Sequence, residues 1–117
     1  MPSKHSIPLD KAKEMTARFR DQKENVLDPS FRNKNILSIS ETFNRDIFDS
    51  ILGQNGCSSI RLYFAMDADN RVRVIVVGVN DKNEDILPSQ SVTVADDDSN
   101  IGEEGQLCPP YCPDDPL

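Results

Sequence analysis

The chain has 117 residues, enough for one modest hydrophobic core. Residues 1–82 carry 13 basic and 11 acidic side chains, a net charge of +2, whereas residues 83–117 carry nine acidic and no basic ones, a net of −9. This acidic segment would repel phosphate, so we expect no nucleic-acid binding. The sequence contains no run of about 18 apolar residues and no apolar leader near Met1, which predicts a cytoplasmic protein without membrane association.

A periodic pattern over residues 9–27 predicts the first helix. Apolar residues recur every three to four positions from Leu9 through Phe19, with charged residues between them, which is typical of a surface helix with one apolar stripe. Pro8 suits the first turn of a helix, and Pro29 is expected to prevent the helix from continuing.

A second helix is predicted from Ser40 to Leu52. Ser40 has the side chain of an N-cap residue, and Gly53 stands where a left-handed residue would end the helix. Between them the apolar residues fall at helical spacing: Phe43, Ile47, Phe48, Ile51 and Leu52.

The stretch from residue 59 to residue 79 predicts a β-hairpin with a polar turn at residues 67–70. Apolar and polar residues alternate along the first strand, and the second strand is rich in valine, as expected for a central strand. A loop over residues 67–71 would place six apolar side chains on one face, which we expect the helices to cover: Leu62, Phe64, Met66, Val72, Val74 and Val76.

Arg61, Tyr63 and Arg73 are predicted to share the opposite face of the hairpin. Three interpretations remain open for them: a binding patch for an anion or carboxylate, an intramolecular clamp on the acidic tail, and a solvated strand face. The far end of this face is apolar, with Val77 and Val79, so another strand, the tail or a second subunit should cover it. A homodimer would satisfy this requirement.

The three cysteines are an odd number, so a full disulfide framework is not implied. Cys108 and Cys112 flank a Pro-Pro pair, and the residues allow a disulfide-closed loop, thiol redox chemistry or half of a metal site. The spacing is not that of thioredoxin-like motifs or zinc knuckles. Cys57 precedes a predicted strand, where a small buried thiol is the common arrangement.

The sequence contains no assembled set of catalytic residues. His5 is the only histidine, which excludes Ser-His-acid triads, and no phosphate-binding glycine loop is present. We therefore predict no cofactor and no metal, and the sequence favours a protein without enzymatic activity.

Several short motifs carry a resemblance to other proteins. They are a Gln-x-Gly-Cys helix end at residues 54–57, Ile-Arg-x-Tyr at 60–63, Val-Gly-Val at 77–79 and Cys-Pro-Pro-x-Cys at 108–112. Together they resemble a family of small uncharacterised bacterial proteins, with the first helix more loosely similar and Pro8 in place of a serine cap. The resemblance implies a shared fold and no particular activity, and it favours Arg61, Cys57, Cys108 and Cys112 over the residues around them.

These observations predict an α+β domain over residues 1–94, with two N-terminal helices packed on a small antiparallel sheet centred on the 59–79 hairpin. An extended, acidic, Pro-rich tail would follow over residues 95–117. The predicted function is that of a non-enzymatic protein-interaction module with an unidentified protein partner. The alternative is a thiol redox or metal-binding protein that acts through Cys108 and Cys112.

Overall fold

The computed structural model describes residues 5–88, 101–102, 105–115 and 117. Over these residues the protein is an α+β protein with two α-helices and antiparallel sheets. Its elements are α1 (Leu9–Gln22), a 3-10 turn (Pro29–Phe31), β1 (Ser40–Thr42), α2 (Arg45–Leu52), β2 (Ser59–Met66), β3 (Val72–Val79), β4 (Asp85–Ile86) and β5 (Gln106–Cys108).

The predicted hairpin register is confirmed. β2 and β3 pair antiparallel with Leu62 opposite Val76, Phe64 opposite Val74, and Met66 opposite Val72. The short strand β4 pairs with the other side of β3, which makes the sheet order β2-β3-β4, and β1 and β5 form a separate two-stranded sheet.

Both helices are shorter than the sequence predicts. The first ends at Gln22 rather than near residue 27, and α2 begins after Asn44, whose side-chain oxygen accepts a hydrogen bond from the Asp46 N–H at 2.8 Å. Ser40 is therefore not the N-cap, because it begins strand β1 instead. Gly53 caps α2 with φ −78°, so the predicted left-handed ending is also wrong.

The described residues group in two compact units, one of residues 1–40 with 107–117 and the other of residues 41–106. In the first unit Leu107 and Cys108 are buried, and the Ile39 N–H donates to the Cys108 carbonyl at 2.7 Å. No residue of α1 is buried. The predicted domain boundary at residues 94 and 95 lies outside the described residues.

The second unit is built around the packing of α2 on β3. Ile51 and Val76 have no exposed surface, and a Cβ on Gly78 would lie 3.3 Å from the Ile51 Cγ2 atom. A helix of eight residues is about 12 Å long and a strand of eight about 26 Å, so α2 covers only part of the strand face.

The uncovered part of this face contains apolar side chains that the sequence predicts to be in the core. Leu62 is 54% exposed, Phe64 83% and Met66 61%. The expected burial of these three residues is therefore wrong, although their register is right. The end of the face nearest Gly78 is buried instead, because α2 reaches only that end.

Candidate functional site

Arg61 and Tyr63 form one hydrogen-bonded cluster with the turn that follows β3. Both side chains project from the same face of β2 because they are two residues apart. The two terminal nitrogens of Arg61 donate to Asp85 Oδ1 and Asn83 Oδ1, and the Tyr63 hydroxyl donates to Asp85 Oδ2. The hydrogen bond between Tyr63 and Arg61, and then the Asp85 carboxylate, raise the pKa of Arg61. Asp85 thus holds both predicted binding residues.

Arg73 belongs to a second cluster, which is centred on the carboxylate of Glu41. This carboxylate is nearly buried, with 5% of the side chain exposed, and it accepts hydrogen bonds through both oxygens. Arg73 Nη2 and the Gly105 N–H each donate to Oε2 at 3.0 Å, and the Val74 N–H donates to Oε1 at 3.0 Å. Arg73 also donates to the Gly105 carbonyl at 2.8 Å.

The two arginines lie on one face, as the register predicts, but they are not adjacent. Arg73 faces Ala65 across the ladder, four residues along β2 from Arg61, a distance of about 13 Å. Each guanidinium is engaged by carboxylates of its own chain. An external carboxylate would therefore have to displace Asp85 or Glu41 to bind either arginine.

Asp67 lies at the end of β2 and organises the hairpin turn. Its Oδ1 accepts hydrogen bonds from the Asp69 N–H at 2.9 Å and the Arg71 N–H at 3.0 Å, and Arg73 lies 3.5 Å from Oδ2. The Arg71 N–H in particular lowers the pKa of Asp67. The carboxylate is therefore ionised at neutral pH, and β2 has a cation near one end and an anion at the other.

The cysteines occupy two separate environments. Cys108 and Cys112 form a disulfide with their Cα atoms 4.7 Å apart, and Cys108 is buried whereas Cys112 is exposed. Cys57 is a free thiol of intermediate exposure that donates to the Ser59 carbonyl at 3.3 Å. Among the described residues, no group of three or more His, Cys, Asp or Glu side chains is placed to hold a metal ion.

Leu62, Phe64 and Met66 form an apolar row on β2, and its exposure to solvent does not follow from the sequence. We refer to these three residues as the β2 row. Their alternation marks them as one face, but the same pattern is produced by a face packed in a core. The length of α2 is the sequence signal that indicates their exposure. Asn44 is also a good N-cap residue, and a helix that begins after it is too short to cover the strand.

Each unit has a pocket among its described residues. One, of about 430 Å³, is lined by Thr42, Phe43, Asn44, Ile47, Ile101, Gly102, Gly105 and Gln106. The other, of about 400 Å³, is lined by Met15, Thr16, Phe19, Ile39, Ser40, Pro113 and Leu117. None of these lining residues, taken from the described part of the chain, has an ionisable side chain that could act as a general acid or base.

Comparisons with known proteins place the chain in no family: no protein-family model, no curated protein and no solved structure matches it. The resemblance drawn from the short motifs stays an expectation. No helix in the described part of the chain has the length and apolar character needed to cross a membrane.

Proposed function

We propose that this protein is a non-enzymatic protein-interaction module that binds another polypeptide through strand β2. The observation that carries the proposal is the exposure of the β2 row, in which Phe64 has 83% of its surface accessible. Three large apolar side chains on consecutive positions of one strand face form a contiguous patch, and such patches on monomers commonly mark interaction sites.

The chemistry of the rest of the described surface supports a binding role over an enzymatic one. The described residues that line both pockets are neutral, and Arg61 and Arg73 are held by Asp85 and Glu41. In this proposal, the sheet face that carries Arg61, Tyr63 and Arg73 serves mainly to fix the turns around β2. The interaction of an acidic tail with that face is a further part of this proposal.

The proposal is tested by photo-crosslinking from the β2 row. Replacing Phe64 with benzoylphenylalanine keeps an aromatic side chain at the exposed position, and irradiation in an extract of the native cell should yield covalent adducts with a polypeptide. The same probe at Met15, which is 57% exposed on α1, is the matched control and should give few adducts. Equal adduct yields from the two positions, or none from Phe64, would overturn the proposed function.

A second candidate function is thiol–disulfide exchange at Cys108 and Cys112, favoured by the exposure of Cys112 within the disulfide. An attacking thiolate would form a mixed disulfide with the exposed Cys112 sulfur and release Cys108 as the thiolate. A cytoplasmic location, also still a prediction, would suit a redox-active disulfide better than a structural one, because structural disulfides persist mainly in oxidising compartments.

Equilibration of the protein in glutathione redox buffers, followed by alkylation and intact mass, measures the reduction potential of this disulfide. We expect a potential below about −300 mV, which is typical of structural disulfides. A potential between about −230 and −120 mV, in the range of thiol oxidoreductases, would instead support the redox function. Cys57 provides an internal reference because it is alkylated in either case.

A further inference from the structure

One face of α1 binds a main-chain oxygen of the same chain. Thr16 and Arg20 are four residues apart, so their side chains lie on the same face of the helix, about one turn from each other. The Thr16 hydroxyl donates to the main-chain oxygen of Leu117 at 2.9 Å, and Arg20 Nη1 donates to the same oxygen. Two donors, one of them a cation, therefore converge on a single acceptor atom.

An apolar pocket adjoins these two donors. It has a volume of about 400 Å³, within the size range of ligand sites, and most of its lining is apolar: Met15, Phe19, Ile39, Pro113 and Leu117. Leu117 is 51% exposed, so its side chain lies along the pocket without filling it. The pocket and the donors together match the side chain and the main-chain oxygen of one leucine residue.

The charges on α1 favour an acidic segment around that leucine. At about 100° per residue, Lys13 and Arg20 lie within about 20° of each other around the helix. The acidic residues of α1 are grouped about 90° away: Asp10, Glu14 and Asp21. The residue that the basic face binds is preceded by acidic ones, at positions 114 and 115, and residues 83–117 contain no basic side chain. The bound segment thus complements this face in charge.

The contact with Leu117 is weakly protected from exchange. Both hydrogen bonds to its main-chain oxygen lie at the surface, and no residue of α1 is buried. Water competes for exposed donors, so such hydrogen bonds contribute little net free energy. Leu117 keeps the site mainly because it is tethered to it, which gives it a high effective concentration. A ligand that fills the pocket more completely can displace it.

We propose that α1 carries a second interaction site, which binds a partner polypeptide through a leucine in an acidic segment. Thr16 and Arg20 receive the main-chain oxygen of this leucine, the pocket receives its side chain, and Leu117 is an internal competitor for the site. The inference goes beyond the proposed function, because it concerns α1 rather than β2 and either site can fail without the other. Since Leu117 occupies the site in the unaltered chain, Met15 remains a suitable control for photo-crosslinking.

The test is fluorescence anisotropy with a labelled peptide of residues 112–117 that carries Cys112→Ser, titrated with the full-length protein. Leu117→Gly removes the internal leucine and keeps the chain length. The peptide should therefore bind this variant at least about tenfold more tightly than the unaltered protein. The same peptide with glycine in place of its leucine should bind the variant at least about tenfold more weakly, because it leaves the pocket empty.

Substitutions on α1, made in the Leu117→Gly background, identify the donors. Arg20→Ala should weaken peptide binding at least about tenfold, because it removes a charged hydrogen-bond donor. Thr16→Val keeps the shape of the side chain and should weaken binding several-fold. Arg18→Ala is the matched control, since it removes the same charge about 160° around the helix and should leave the affinity unchanged. Circular dichroism checks that each variant keeps its helix content.

Four outcomes would overturn the inference. The first two are equal peptide affinities of the unaltered protein and Leu117→Gly, and equal affinities of the leucine and glycine peptides. The third is an equal effect of Arg20→Ala and Arg18→Ala; if Arg20→Ala does not fold, Thr16→Val takes its place in this comparison. The fourth is a dimer of the unaltered protein, measured by light scattering, that Leu117→Gly abolishes, because the occupant would then be a second copy of the chain.

Discussion

Glu41→Ala is expected to destabilise the protein by about 3–5 kcal/mol. The Glu41 side chain is 5% exposed and the Arg73 side chain 17%, so the ion pair is largely removed from water. One carboxylate also accepts the N–H groups of Val74 and Gly105. Its removal leaves a partly buried cation and two backbone donors without this acceptor. For a domain of this size the melting temperature should fall by more than about 12 °C.

Thermal and urea unfolding, followed by circular dichroism, measure this effect. Asp49→Ala is the matched control, because Asp49 pairs with Arg45 at 3.3 Å on an exposed surface and its loss should cost at most about 0.5 kcal/mol. The double variant Glu41→Met with Arg73→Met should be more stable than Glu41→Ala, since it removes the buried charges together. Equal melting temperatures for Glu41→Ala and Asp49→Ala would show that the ion pair contributes little.

Ile51→Ala should cost about 2–5 kcal/mol, because Ile51 is the fully buried side chain through which α2 packs on β3. Its Cγ2 atom lies 3.3 Å from the place where a Cβ on Gly78 would stand, so the helix and the strand approach closely here. The cavity left by alanine is bordered by the sheet backbone, which limits relaxation. Ile51→Val removes one methylene group and should cost only about 0.5–1.5 kcal/mol.

The control for this prediction is the adjacent residue on the same helix. Leu52 is 53% exposed, so Leu52→Ala should change the free energy of unfolding by less than about 1 kcal/mol. Urea unfolding of the three variants gives the comparison directly. A Leu52→Ala variant as unstable as Ile51→Ala would mean that α2 packs through a different face from the one described here.

The elements near the hairpin were predictable because their signals are local. Apolar and polar residues alternate over eight positions, and the polar turn that begins at Asp67 follows them. This pattern specifies both strands and their register, because a slip of one residue would move every side chain to the other face of the sheet. The helix ends were less predictable, because Ser40 and Asn44 are both good N-cap residues and local preference does not choose between them. Strand pairing at Ser40 decides in favour of Asn44.

The candidate binding residues, too, were predictable only in part. Their place on one strand face follows from sequence spacing, whereas their partners do not. Arg61 meets Asp85 across 24 residues, and Arg73 meets Glu41 across 32. No local pattern identifies such partners, because the chain offers 20 acidic side chains and only the folded backbone determines which come within reach.

The sequence by itself determined the mixed α+β class, the hairpin register and the concentration of negative charge after residue 82, since each depends on neighbouring residues or on composition alone. Only the tertiary structure decided which face of the hairpin is covered. Alternation identifies Leu62, Phe64 and Met66 as one face, but burial depends on whether another element reaches them. Because α2 is about 12 Å long and β2 about 26 Å, the helix covers one end and leaves the β2 row exposed.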